Sequence, residues 1–184
     1  MTTNRQIILA NHPVGMPTAE DLPLQESALP ELQDGQLLMK NIYLSLDPYM
    51  RGRMSKAKSY AAGVPLGTAM QGGTVGQVVS SKLDGFAEGD FVLGFGGWQD
   101  YAVQDKTTLR KLDPSQAPIS TALGVLGMPG FTAYAGLLEI GQPKEGETSY
   151  QPVIAIFGVA FLLGLAISWY VFDTIFTVQA IEWF

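Results

Sequence analysis

The 184-residue chain has no cysteine and a single histidine. Without thiols there is no disulfide, no thiolate zinc site and no cysteine nucleophile. His12 stands alone in "NHPVGMP", beside a proline, so a metal centre built on imidazoles is not expected. Positive charge is scarce as well: 11 Lys and Arg against 17 Asp and Glu give a formal net charge of −6. An acidic chain with no basic stripe lacks the clustered cations that neutralise phosphates, and nucleic acid is excluded as the expected partner. The densest basic stretch, "RGRMSKAK" (51–58), puts four positive charges into eight residues. It reads either as a solvated loop or as a contact to a phosphorylated ligand. The opening "MTTNRQIILANHPVG" has no apolar core long enough for a signal peptide, so the first domain is expected on the cytoplasmic side.

Charge of either sign is missing from the last fifth of the chain. All eleven basic residues lie at or before Lys144, and fifteen of the seventeen acids precede Ser149. From Ser149 to Phe172 there are 24 residues without a charge. Wound as a helix, that run reaches about 36 Å, enough to cross a hydrocarbon core of roughly 30 Å. Tyr150 at one end and Trp169 and Tyr170 near the other sit where interfacial aromatics would, and Asp173 closes the run. The expectation is a domain over 1–148 and a single transmembrane helix with a short tail over 149–184. Gly158, Gly164 and Ala166 would let that helix pack in a membrane complex as a single-pass accessory subunit. Two other readings stay open: a buried helix of a soluble core, and a tail translated out of frame.

What is abundant before residue 149 is strand and turn. "RQIILA" (5–10) is a short strand stopped by His-Pro. "QLLMKNIYLSL" (36–46) is longer and ends at Asp47-Pro48. "GGTVGQVVSS" (72–81) is rich in Val and Thr, with glycines that signal a bulge or a close backbone approach. Two further strands, 91–95 and 98–103, are joined through Gly96-Gly97. Short strands at this spacing predict a mainly β fold, a partly open antiparallel barrel. A helical pattern comes late, over 121–141, with Gly141 as its stop.

The strings "YLSLDPYMRGRMS" (43–55) and "LGVLGMPGFTAYAGLLEIGQPKEGET" (123–148) carry a resemblance. Together with "GGTVGQVV" and "GDFVLGFGGWQDYAV" in that order, they resemble the zinc-independent branch of the medium-chain dehydrogenase/reductase superfamily. The look-alikes are NADPH-dependent curcumin, 2-alkenal and prostaglandin/leukotriene reductases, over residues 5–148. The resemblance implies a GroES-like barrel carrying the substrate site, NADPH as cofactor, no metal, and a small-molecule enone as substrate. It implies Tyr49 and Tyr134 as pocket residues acting on the substrate, and Pro48, Tyr49, Met128 and Thr132 beside the cofactor. Each has a plainer reading: Tyr49 as an aromatic capping the barrel, and Met128, Thr132 and Tyr134 as core residues at helical spacing. Tyr60 and Trp98 are weaker candidates for the enone cleft. Some plant members carry a tyrosine in the region of "MQGGTV", where this chain has Gly73. After Thr148 the likeness stops. The glycine-rich strand–turn–helix that would cradle a pyrophosphate is not found in 149–184, so the Rossmann domain is expected to be absent and the reductase inactive alone. An oligomer formed through the apolar 120–140 region or the tail remains open.

Overall fold

Leu37 and Met39 stand two residues apart on one strand, and that period of two sets the core of the first half of the chain. The computed structural model describes residues 3–57 and 59–142. It divides the chain into two compact units, Met1–Gly124 and Val125–Phe184. In the first, β1 (Thr3–Ile7) pairs antiparallel with β2 (Leu24–Ala28). Five more strands follow: β3 (Gln36–Leu44), β4 (Thr74–Ser81), β5 (Phe91–Gly94), β6 (Tyr101–Asp105) and β7 (Arg110–Leu112). They form one antiparallel sheet in the order β6-β3-β4-β5-β7. Leu37, Met39, Val78, Val92 and Ala102 bury one face of it, with Leu83, Phe86 and Leu109 packed against them.

The pairing of β3 with β4 slips twice, at Leu38/Met39 and at Asn41/Tyr43. Gly76 sits beside the second slip, and a Cβ there would collide with the Lys40 carbonyl. The glycines of 72–81 thus mark the bulge and close approach that the sequence signalled. Gly97 serves a second purpose. Its φ of +72° belongs to the left-handed region, and a Cβ would meet the Met70 carbonyl oxygen at 2.5 Å.

That tight passage is the seam between the two sheets. Trp98 donates its amide to the Met70 carbonyl at 2.8 Å and accepts from the Ile7 amide at 2.9 Å. The Met70 amide in turn reaches the Ile7 carbonyl at 2.9 Å. Asn4, buried in β1, completes the stitch: its Oδ1 accepts from the Tyr101 amide at 2.8 Å, and its Nδ2 donates to the Tyr101 carbonyl at 2.9 Å. Arg5 adds an ion pair to Asp100 at 2.7 Å.

Between β3 and β4 the chain makes α1 (Tyr49–Arg53), which is followed by a long loop. The first unit ends in a 3₁₀ turn, Ile119–Leu123. In the second unit α2 (Met128–Ala135) follows an extended Gly127, has Pro129 in its first turn and continues as a π-helical turn to Gly141. The helix expected over 121–141 is therefore broken. Gly124 and Gly127 both leave helical geometry, so the run of apolar residues is divided between two short elements.

The described residues are mainly β, as expected for the barrel, but the expectation of a transmembrane helix is corrected. Among the described residues no helix is long and apolar enough to cross a membrane. The longest α-helix among the described residues has 8 residues, against the ~20 that a span requires. The uncharged run 149–172 lies outside the described residues. A run without charge measures what a segment would tolerate as a helix and does not fold it, so the membrane helix and the membrane-complex partner are both withdrawn. β2 and β7 went unseen because "LQESA" and "RKL" are polar and largely exposed, and neither alternates. The strand expected at 98–103 begins only at Tyr101, because 98–100 are spent on the seam.

Replacing Asn4 with Leu keeps a branched side chain and strips both Tyr101 backbone groups of their partner. The variant is expected to lose about 2–4 kcal/mol in urea unfolding. A midpoint equal to that of the wild type would show that the seam is not held by this amide.

Candidate functional site

A proline after Asp47 cannot continue β3, and its fixed φ suits the start of a helix. Pro48, with φ −56° and ψ −30°, starts α1, and Tyr49 is its first residue. A five-residue helix has too few internal hydrogen bonds to stand alone. This one is held from several sides. Met50 and Met54 are both 3% exposed and root it in the first unit's interior. Arg51 donates from Nη2 to the carbonyls of Pro13 at 3.0 Å and Gly15 at 2.8 Å, drawing the 11–17 loop against the helix. His12 Nδ1 lies 2.8 Å from the Met54 carbonyl oxygen, a distance at which a protonated Nδ1 donates. Arg53 donates from Nη1 to the Ala62 carbonyl at 3.2 Å and accepts at its own carbonyl from the Val64 amide at 2.8 Å. Its guanidinium carbon lies 5.6 Å from the ring centroid of Tyr49 and 4.9 Å from that of Tyr60, within cation–π range of both. An open cavity of about 570 Å³ lies alongside, bordered among others by His12, Ser55, Tyr60 and Val64.

Within "RGRMSKAK", Arg51 Nη2 and Arg53 Nη1 donate to backbone carbonyls, so both arginines brace α1. Among the described residues there is also no glycine-rich strand–turn–helix unit.

Tyr49 is half-buried, and its phenol is pushed above the ordinary tyrosine range. Burial is the main cause, the charge of Asp47 adds to it, and the Arg53 cation opposes it. A phenol in that state stays protonated through neutral pH and is a hydrogen-bond donor, suited to an oxygen that gains negative charge.

The other expected site residues fall in different places. Pro48 and Tyr49 are neighbours at the head of α1, with Tyr60 brought to the same guanidinium. Met128, Thr132 and Tyr134 belong to α2 in the second unit. The Thr132 hydroxyl donates to the Met128 carbonyl at 2.8 Å, a back-bond within its own helix. Met128 and Tyr134 are both exposed, so neither is the core residue that helical spacing allowed. Trp98 is buried at the seam. Gly73 donates no side chain; its carbonyl accepts the Ser45 amide at 2.9 Å and so helps turn the chain toward α1. The role of Arg53 was not read from the sequence. Its charge was visible there, but a cation shared by two rings has no periodicity to betray it.

Comparison with known proteins identifies the family. Residues 5–112 match the family described as the N-terminal domain of oxidoreductase. The chain is 52% identical over 145 residues to the NADPH-dependent curcumin reductase of Escherichia coli (strain K12), covering 79% of this chain and 42% of that protein. It is 39% identical over 153 residues to the 2-alkenal reductase (NADP(+)-dependent) of Nicotiana tabacum, covering 80% and 45%. The crystal structure of CurA in complex with NADPH from Vibrio vulnificus superposes with a TM-score of 0.72 at 55% identity, covering 78% of this chain and 42% of that one. The chain belongs to the N-terminal, GroES-like domain family of the medium-chain dehydrogenase/reductases. It spans less than half the length of these relatives.

Spectroscopic titration of the wild type against Tyr49→Phe should place the Tyr49 phenol above the ~10 of a free tyrosine. Asp47→Asn should bring it down, because one of the charges opposing ionisation is gone. A Tyr49 that titrates at or below the free value would contradict the site as described.

Proposed function

We propose that this chain supplies the substrate side of an NADPH-dependent reductase acting on the carbon–carbon double bond of α,β-unsaturated ketones and aldehydes. One observation carries the reading: Tyr49 is a protonated, half-buried phenol on a helix pinned by two buried methionines and two arginine struts. The NADPH-dependent relatives support the reaction class.

The chemistry asks little of the protein beyond position and a donor. A hydride added to the β-carbon pushes the π electrons toward the carbonyl, and negative charge collects on the oxygen as an enolate forms. A proton then joins the α-carbon, and the double bond is saturated. Tyr49 donates its O–H to that oxygen and strengthens its hold as charge builds, which lowers the barrier. Pro48 limits the backbone freedom of the helix start, so the phenol is presented with little ordering cost. In the relatives the hydride comes with NADPH. No glycine-rich strand–turn–helix unit occurs among the described residues, and the sequence of 149–184 has no such glycine pattern. Alone, the 184-residue chain is therefore proposed to bind the enone and to turn it over poorly.

Two measurements test this. Mixed with NADPH and a 2-alkenal, the purified chain should oxidise NADPH far more slowly than the ~1–10³ s⁻¹ of ordinary enzymes. A normal enzymatic rate would overturn the proposed division of labour. Binding of the same enone without cofactor should weaken roughly 3- to 10-fold in Tyr49→Phe, the worth of one hydrogen bond, with no loss of stability. Equal affinity in the two proteins would remove Tyr49 from the site.

A further inference from the structure

Tyr60 presents a difficulty to any account of the site. It lies in the loop after α1 and is 84% exposed, a setting in which a side chain ordinarily samples many rotamers. Small residues surround it in sequence, with Ala57, Ser59, Ala61, Ala62 and Gly63 providing no bulk to pack on. Yet its ring lies over the same cation as Tyr49. The side chain that makes this arrangement is Arg53. It holds the loop by a carbonyl accepting from Val64, by Nη1 donating to Ala62, and by its face against the Tyr60 ring. Gly63 fits under this bridge because a Cβ there would lie 3.0 Å from the Ser55 carbonyl oxygen and 3.2 Å from that of Arg53.

We propose that Arg53 is a positioning residue that couples Tyr60 to Tyr49 through one shared guanidinium, so that a loop phenol and a helix-anchored phenol act as one recognition unit for a carbonyl ligand. The role rests on the enone-binding reading above, and it adds to that reading the means by which the loop joins the site. The geometry of a planar guanidinium matters to it. A flat cation presents a broad face to aromatic rings while its edge donates to a carbonyl, and an ammonium cannot do both in the same way. The groups facing Tyr49 are Asp47, Arg53 and Tyr60, so loss of Arg53 removes the one cation that favours phenolate there.

The test uses the full chain carrying fluorotyrosine, with resonances assigned by single Tyr→Phe exchanges and followed by fluorine NMR. In the wild type the Tyr60 resonance should be displaced from that of free fluorotyrosine. In Arg53→Met it should collapse to the free position, and Tyr49 should shift and titrate at higher pH. Tyr43 and Tyr101 should stay in place, which separates lost positioning from lost fold. Arg53→Lys should restore the titration of Tyr49 but only part of the Tyr60 displacement. Unmoved Tyr49 and Tyr60 resonances in Arg53→Met would overturn the proposal. If that variant does not fold, Tyr60→Leu decides the matter at an exposed position: coupling requires the Tyr49 resonance to move, and an unchanged one refutes it. Enone affinity should fall about 3- to 10-fold in Arg53→Met and recover partly in Arg53→Lys. A wild type that binds no enone would defeat the functional reading while the fluorine signals still judge the coupling.

Discussion

The candidate site depends on keeping a five-residue helix in place at the end of a strand. Left to itself, α1 would unwind, because nucleating a single turn fixes more backbone than its few hydrogen bonds repay. The chain meets that cost from outside the helix. Met50 and Met54 are buried one turn apart and anchor one side. Arg51 and Arg53 extend to opposite stretches of sequence, 13–15 and 62, and convert charge into backbone hydrogen bonds. Tyr49 is held because everything around it is tied down, and its raised pKa follows from the same burial.

The strands with alternating or β-branched sequences are legible in the sequence: 36–46, 72–81 and 91–95 correspond to β3, β4 and β5. The glycines at 72–81 announced a close approach and Gly76 makes one. What stayed hidden has a common cause. β2 is a polar edge pairing only with β1, and α1 is too short to show a period and has a glycine in its middle. The seam at Trp98 is written in backbone hydrogen bonds, which no side-chain pattern reports. In the other direction, apolar spacing over 121–141 suggested one helix, and the backbone at Gly124 and Gly127 divides it. The uncharged tail suggested a membrane helix by the same kind of argument, from composition alone.

For the proposed site, sequence likeness pointed to Tyr49, and the structure adds the burial around its phenol. The likeness could not separate struts from ligands among the basic residues. "RGRMS" reads as a charge run, and in the structure Arg51 Nη2 and Arg53 Nη1 donate to main-chain carbonyls. Exposure likewise decided matters that spacing had left open. Met128 and Tyr134 share a helix pattern with core residues yet lie open in α2, while Trp98 lies at the seam with almost no surface. On the proposed reading, the chain presents a phenol donor for a carbonyl oxygen, fixed to a β scaffold.

The central claim is that an enone carbonyl docks against Tyr49 at the head of α1. Nuclear Overhauser contacts between an α,β-unsaturated ketone and the isotope-labelled intact chain test it most directly. The account predicts contacts from the protons flanking the ligand carbonyl to the ring of Tyr49. Contacts confined to another surface, such as the sheet edge at β7, with none to Tyr49, would contradict it.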